Sequence, residues 1–281
     1  MPKKNNPIKS RIPFWSMDVS TVCFTSAHTD TGYAISSEHA HQHYEMNFCY
    51  SHASIRHTVS GKIIDTTTPF FSFRAPLVLH SVRTLSDQPY TRSNIYFHPG
   101  MLKKYENICS LGTLSNIRAC TIPTDEKQME HLDKLIVHMG RLWDEDAPER
   151  VCVSLLAALL YEVNALVPED LPPQTESPPY IQEVMLYIVG HIEENLTLDS
   201  ISKQFFISKS KLAQDFHSVT GQSVHDYTTA IRMWRAKSMI TEGMPLSIVA
   251  DACGFSRDSA LITMFRREAG MTPTEWLKSV Q

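Results

Sequence analysis

The sequence predicts an α+β chain in two parts: a strand-rich N-terminal part followed by helices, then an all-α C-terminal part built from two related helical units. Three observations predict this. Residues 20–98 hold aromatic and β-branched runs separated by turn signals. From about residue 124 the apolar spacing lengthens to that of a helix. Beyond a Pro-rich segment, one pattern of apolar, small and glycine residues occurs twice, 48–49 residues apart. A length of 281 residues is enough for two domains, each with its own core.

The clearest strand runs are Tyr44-Glu-Met-Asn-Phe-Cys-Tyr50, Phe70-Phe-Ser-Phe73 and Asn94-Ile-Tyr-Phe97, with turns at Ser60-Gly61 and Thr67-Thr68-Pro69. A first helix carries Met129, Leu132, Leu135, Ile136 and Met139 on one stripe. A second carries Val153, Leu155, Leu156, Leu159, Leu160 and Val163. The second is apolar over more than one face, so it needs cover beyond the sheet. We expect that cover from a second subunit, which makes Val153, Leu156, Leu160 and Val163 the expected dimer contacts. The segment 167–179 has five prolines in thirteen residues and reads as a semi-stiff linker. The expected division is 1–122 for the sheet domain, 123–166 for helices that pack on it and dimerise, 167–179 for the linker, and 180–281 for the helical domain.

No apolar run approaches the ~20 residues a membrane-spanning helix needs. Met1-Pro-Lys-Lys-Asn-Asn-Pro7 lacks the apolar stretch of a secretory signal. Cysteines 23, 49, 109, 120, 152 and 253 are scattered and form no Cys-x-x-Cys pair, which speaks against a disulfide framework or a cysteine zinc site. A cytoplasmic protein is expected. There is no Gly-rich phosphate loop, no Gly-x-Ser-x-Gly elbow and no zinc-protease helix.

In the C-terminal repeat, Leu198, Ile201, Ile207 and Ser208 return as Leu246, Val249, Phe255 and Ser256. Leu212, Phe216, Gly221 and Tyr227 return as Leu261, Phe265, Gly270 and Trp276. In the second unit Ala250 permits close helix approach, and Gly254 can take the positive φ of a tight turn. Ser256 or Asp258 is then expected to cap a helix running to about Glu268. Leu261 and Phe265 face its core, leaving Arg257, Ser259, Thr263, Arg266 and Arg267 for phosphates and base edges of double-stranded DNA. In the first unit Phe206 stands where the glycine should be. Lys209, Ser210, Lys211 and Gln214 project from its reading helix, and Gln214 is suited to bidentate pairing with adenine. A helix from Tyr227 to Ile240 joins the units and carries Arg232, Arg235 and Lys237; Arg232 and Arg235 are expected to contact DNA, Arg232 through the phosphate backbone.

Residues 181–278 resemble the DNA-binding domain of the AraC/XylS family of transcription regulators. The pattern is readable at Tyr227, Arg232, Ala236, Ile248-Val-Ala250, Gly254-Phe255, Phe265-Arg266, Gly270 and Thr272-Pro273. Phe206 and Trp276-Leu277 depart from it, the family usually showing Tyr-Arg at the latter. The resemblance implies a sequence-specific regulator that acts as a homodimer, with RNA polymerase as a further partner if it activates.

In the N-terminal part, His39, His41, His43 and Glu45 occupy alternate positions, which a strand would place on one face. With His80 they follow the spacing His-x-His-x₃-Glu…His, which resembles the cupin barrels, whose enzymes bind a divalent metal at these positions. Regulators of the AraC family often carry a cupin-like barrel here, with a later segment matched by Pro89-Tyr90-Thr-Arg92…Phe97-His98-Pro99. The resemblance therefore implies a cupin-like β-barrel holding a small effector, a sugar or related metabolite, with no cofactor. Three readings of the residues stay open: an effector pocket of His39, His41, His43, Glu45, Arg74, His80 and Arg92; a metal site of His39, His41, Glu45 and His80, which would make the chain a metal-dependent cupin enzyme fused to a helical domain; or polar side chains satisfied by one another.

The formal charge of −4 argues at first against a nucleic-acid partner. Residues 1–179 carry 16 Lys+Arg against 19 Asp+Glu and residues 180–281 carry 10 against 11, so neither half is basic. The cations nevertheless cluster on the repeated units, with acids such as Glu183, Glu193 and Glu194 elsewhere in sequence. Modest non-specific DNA affinity is the expectation.

Overall fold

A computed structural model describes residues 22–30, 34–67, 69–145, 147–171 and 178–280. Nine strands are formed among the described residues: β1 (Val22–Asp30), β2 (Ala34–His39), β3 (Tyr44–Cys49), β4 (Ile55–Val59), β5 (Lys62–Thr66), β6 (Phe70–Arg74), β7 (His80–Thr84), β8 (Tyr90–Phe97) and β9 (Ala119–Pro123). Between β8 and β9 lie the short helix α1 (Pro99–Lys104) and a 3-10 turn (Gly112–Asn116). Helices α2 (Glu126–Asp144) and α3 (Glu149–Asn164) complete the N-terminal part.

The strands form two antiparallel sheets, ordered β1-β8-β3-β6-β9 and β2-β7-β4-β5. Alternation along β3 sorts its side chains. Met46 and Phe48 join Phe71, Phe73, Ile95 and Phe97 in a core under α2 and α3. Glu45, Asn47 and Cys49 face the smaller sheet, where Cys49 packs with Ala53, Ile55, Phe70 and Tyr90. The sheets lie face to face, with the His57 ring of β4 edge-on to Phe70 of β6 at 4.9 Å. They share no hydrogen-bonded strand pair among the described residues, so the expected closed barrel is observed as two separate sheets.

The expected dimer contacts need correction. Val153, Leu156, Leu160 and Val163 are 0–1% exposed and belong to the core of this chain. The second apolar face of α3 is covered from within the protomer by Met101, Cys109, Leu111, Leu114 and Ile117, on the stretch between β8 and β9. Each such side chain contributes about 1.5–3 kcal/mol by burial. No surface of these four residues is left for a second copy.

Residues 172–177 of the Pro-rich segment lie outside the described residues. Seven helices follow among the described residues: α4 (Pro179–Gly190), α5 (Leu198–Gln204), α6 (Lys209–Thr220), α7 (Val224–Thr241), α8 (Leu246–Ala252), α9 (Asp258–Ala269) and α10 (Pro273–Val280). Apolar side chains of α4 to α7 form one core and those of α7 to α10 another. The first core also takes in Ala40, Leu77 and Leu79 of the N-terminal part, so the two parts are packed together. No described helix is long and apolar enough to cross a membrane.

Candidate functional site

The repeat seen in the sequence is a repeat of structure. Helices α5 and α8 are both seven residues long and start 48 residues apart, while α6 and α9 are both twelve long and start 49 apart. Their turns share one hydrogen-bond pattern. In the first, Phe205 N donates to Ile201 O and Ile207 N to Ser202 O. In the second, Cys253 N donates to Val249 O and Phe255 N to Ala250 O. Gly221 and Gly270 close the two longer helices at φ 74° and 71°. The middle turn residue is left-handed in both units: Gly254 at φ 69°, and Phe206 at φ 54° with 96% of its surface exposed. A phenylalanine is tolerated there because its side chain points into solvent.

Helix α6 begins at Ser208, whose hydroxyl accepts from Lys211 N at 3.3 Å. At the start of α9 neither Ser256 nor Asp258 caps the helix. Arg257 holds the cap position in extended conformation without a side-chain bond. Leu212, Phe216, Leu261 and Phe265 are buried as expected, and Lys209, Ser210, Lys211, Gln214, Arg257, Ser259, Thr263, Arg266 and Arg267 are all exposed. Arg257, Ser259, Thr263 and Arg267 share a hollow of about 310 Å³ on α9. The lysines of the first unit are not isolated charges. Lys209 pairs with Asp199 at 2.9 Å and Lys211 with Asp215 at 2.9 Å, and Lys203 and Lys209 hold the Asp199 carboxyl at about 2. These acids lie beside the lysines, which lowers the field of that face further than the sequence suggested.

Two cations of α7, Lys237 and Arg232, are placed differently from the expectation. Lys237 is buried, its ammonium 5.8 Å from the Phe265 ring centre and 6.0 Å from that of Trp276. Arg235 is half-buried. Arg232 is half-buried too, and its guanidinium donates to Ile192 O at 2.9 Å and to Glu194 O, tying α7 to the end of α4. Its charge is directed at Ile192 O and at Glu194 O, which also accepts from Leu196 N, in the turn between α4 and α5, rather than at a phosphate. Arg232→Ala is therefore expected to destabilise the helical domain by about 2 kcal/mol, read from urea unfolding followed by circular dichroism. A variant with unchanged stability and a weaker salt dependence of DNA binding would restore a phosphate role.

The second cluster lies between the sheets. The chain leaves β2 at His39 and enters β3 at Tyr44, so the histidines do not share one strand. The bend between them nonetheless gathers most of the expected set. Ligating nitrogens of His39, His41 and His80 lie within 4.8 Å of one another. Glu45 Oε2 is 3.1 Å from His41 Nε2 and 2.9 Å from His80 Nε2. Burial pushes the Glu45 carboxyl up, but the facing His80 and His41 outweigh it and hold it well below the usual range. Two of the rings are fixed from behind. His41 Nδ1 donates to His43 O at 3.0 Å and His80 Nδ1 to Val78 O at 2.9 Å. Arg74 is Glu45's cross-strand neighbour, with its own donors directed to Phe73 O, Cys120 O and Thr121 Oγ1.

Two expected members fall outside. His43 lies against His98, ring centres 5.3 Å apart, and its imidazole is pushed down to about 4 by burial and by His41 and His98. Arg92 sits over the Tyr90 ring, four residues along the strands from Glu45. Conversely, Tyr96 donates to Glu45 Oε1 at 3.4 Å, and Asn47 and Asn94 bond to each other on the same inner face. Two-residue alternation with Glu45 along β3 was a signal for Asn47, whereas Tyr96 and Asn94 reach this face as the β8 cross-strand partners of Glu45 and Asn47. Trp234 of α7 stacks on His39 at 5.8 Å and 15°, a contact between the two parts of the chain that no local pattern announces. Three imidazoles and one carboxylate are a donor set suited to a divalent transition ion, and His39, His41, His80 and Glu45 are the residues that could hold it.

Residues 201–279 match the family model described as "Helix-turn-helix domain". Among curated proteins, the chain is 36% identical over 91 residues to a probable transcriptional regulator, LumQ, of Photobacterium leiognathi, covering 32% of this chain and 37% of that protein. It is 30% identical over 109 residues to the HTH-type transcriptional activator RhaR of Enterobacter sp. (strain 638), covering 38% of each. The chain thus spans under two-fifths of the length of these relatives. Among solved structures, ToxT from Vibrio cholerae O395 bound to (E)-4-(8-methylnaphthalen-1-yl)but-3-enoic acid aligns over 92% of this chain and 99% of its own, with a TM-score of 0.61 at 14% identity. ToxT of Vibrio cholerae strain SCE256 bound to an unsaturated fatty acid aligns over 91% and 94%, with a TM-score of 0.58 at 13% identity. Both share the arrangement of an N-terminal sheet part and a C-terminal helical part.

Proposed function

We propose that this chain, whose residues 201–279 match a helix-turn-helix domain, is a sequence-specific DNA-binding transcription regulator of the AraC/XylS type that responds to a small effector in its N-terminal sheet domain. The observation that carries it is the doubled unit itself: two equal helix pairs with the same turn bonds, each presenting an exposed polar face on its longer helix. Helices α6 and α9 are the reading helices, entering successive major-groove segments about one helical turn (~34 Å) apart. Lys209, Ser210, Lys211 and Gln214 act on one segment, and Arg257, Ser259, Thr263, Arg266 and Arg267 on the other. Arg235 lies between them as a backbone contact.

The proposed division keeps the boundaries 1–122, 123–166, 167–179 and 180–281. The facing sheets are a cupin-like arrangement whose polar interior, around Glu45, His39, His41 and His80, is the effector site. Ligands of the two ToxT structures are carboxylic acids by their titles, whereas family resemblance leaned to sugars. The present interior is supported by its own donor set rather than by either. Two copies and, for an activator, RNA polymerase complete the proposal. Among the described residues, the large apolar side chains exposed on α2 and α3 are Val137, Val151 and Tyr161, and these are what the N-terminal helices offer a second copy. The matched relatives are named as regulators, so the enzyme alternative is not carried further.

Binding-site selection from random duplexes tests the reading. The wild-type chain should enrich one motif with two conserved blocks. Gln214→Ala should relax preference at a single position in one block, at a cost of about 1–3 kcal/mol of discrimination there. An unchanged motif would show that α6 is not the first reading helix, and no enrichment by the wild type would remove the function.

A further inference from the structure

Helices α5 and α6 repeat as α8 and α9, so each surface of the second unit has a counterpart on the first. What covers the two turns differs. A carbon added to Gly254 would lie 2.3 Å from Ile192 O, so the α4–α5 turn of the first unit is seated directly on the turn of the second. At the matching point of the first unit Phe206 is 96% exposed, with the sheet domain in place, so no part of this chain is seated there. Phe206 also holds φ 54°, a left-handed conformation that strains a bulky residue, and its ring gains no packing within the chain in return.

The other end of the helical part is open as well. By position in the repeat, the counterpart of the α4–α5 turn is the α7–α8 turn, residues 242–245. A carbon on Gly243 would meet nothing within 4 Å. Next to it Met244 is 41% exposed, and Ile248, in the first turn of α8, is 53% exposed. Among the described residues, these two join Leu186 and Phe206 as the large apolar side chains that the helical part exposes. One end thus projects an aromatic ring, and the other presents an apolar step beside a bare glycine. Flanking charges are opposite in sign: Lys203, whose carbonyl accepts from Phe206 N at 3.3 Å, and Glu242, both exposed. Packing of the first unit on the second within one chain is therefore a template for packing the second unit of one copy on the first unit of the next.

We infer that the Phe206 ring docks on the α7–α8 turn of a second copy of this chain, against Met244 and Ile248, so that copies line up head to tail. The two surfaces are different patches, so the contact closes no symmetric pair and repeats along an array. Methionine is an adaptable partner for an aromatic ring, and Gly243 leaves the space that the ring takes. On DNA the two reading helices of one copy span successive turns, so the next copy follows two helical turns on, along the same face (~21 base pairs). A contact too weak to hold free copies together acts there at high effective concentration, as cooperative binding. That use rests on the DNA-binding reading above, whereas the contact itself rests on the two open ends.

Two measurements test it. In the first, a full chain carrying Phe206→Cys and one carrying Met244→Cys, both with Cys23→Ser, are mixed at high concentration without DNA and treated with a short bis-maleimide. Cysteines 49, 109, 120, 152 and 253 are buried. The mixture should yield a cross-linked pair, with far less from either variant alone; no excess in the mixture overturns the contact. In the second, the wild-type chain is titrated onto duplexes holding one copy of its selected motif, or two in tandem two helical turns apart. The second copy should bind about fivefold tighter, or more, than a lone one. Phe206→Gly should bind the single-motif duplex as the wild type does, lose the tandem enhancement, and unfold at a higher temperature, because it relieves strain and gives up no packing. Equal enhancement in Phe206→Gly overturns the proposal. So does weaker binding of that variant to the single motif, which would assign the ring to DNA instead. A wild type that binds neither duplex removes the DNA-binding reading, and the cross-link still decides the contact.

Discussion

Gly254→Ala is expected to lose the second helix-turn-helix unit while leaving the first intact. The glycine holds φ 69° in the turn between α8 and α9, where a residue with a Cβ carries about 1–2 kcal/mol of strain. The added carbon would lie 2.3 Å from Ile192 O and 2.7 Å from Arg232 Nη2. The first neighbour is backbone and cannot swing aside. The second is the guanidinium bonded in the turn after α4, so relieving the overlap breaks Arg232's bonds and leaves Ile192 O unpaired, at a further cost of about 1–3 kcal/mol. The total, about 2–5 kcal/mol, is a large fraction of a domain's stability. Phe206 supplies the comparison, since at the matching point of the first turn it takes the same left-handed conformation with its side chain in open solvent. What excludes a side chain at 254 is thus the combination of φ and the neighbour, not φ by itself. Urea unfolding should show the loss, and selected DNA motifs should keep one block and lose the other. A loss below about 1 kcal/mol would mean that the α4 end does not press on this turn.

The helical part was legible because a helix-turn-helix unit constrains residue size at several fixed points. Leu212 and Phe216, Leu261 and Phe265 had to be buried, and Gly254 had to take positive φ; all do. Such requirements are local, and a sequence displays local requirements. Destinations of long side chains are not local. Arg232 carries the same charge whether it meets a phosphate or the carbonyls of Ile192 and Glu194, and only the fold decides. Lys237 similarly disappears beneath Phe265 and Trp276. In the N-terminal part the spacing of His39, His41, Glu45 and His80 did foretell that they meet, although through a bend rather than along one strand. Alternation could not say that His43 would turn to His98, nor that Trp234, nearly two hundred residues on, would lie against His39. For α3 the periodicity correctly showed apolar surface on more than one face. It carried no information on whether the cover came from another chain or from the 99–117 stretch of the same one.

That last distinction has a direct consequence for Leu156→Glu. Were Leu156 an interface residue, the variant would be a folded monomer. It is 0% exposed among Phe, Leu, Ile and Met side chains of the core between α3 and the five-stranded sheet. A glutamate there either ionises without a partner or stays protonated in an apolar site with its hydroxyl unbonded, and the leucine's own packing is lost in both cases. The combined cost is at least about 4 kcal/mol, enough to unfold a domain of ordinary stability. Near-ultraviolet circular dichroism should lose the aromatic signal of the sheet domain, with aggregation rather than a clean monomer in sedimentation. Tyr161→Glu is the matched surface change on the same helix, 78% exposed. It should move stability by no more than about 0.5 kcal/mol, and it is the variant whose sedimentation reports on pairing of copies through this face. A Leu156→Glu chain that stays folded and sediments as a monomer would place α3 at a subunit boundary after all, since only a surface position accepts that carboxylate without loss of the core.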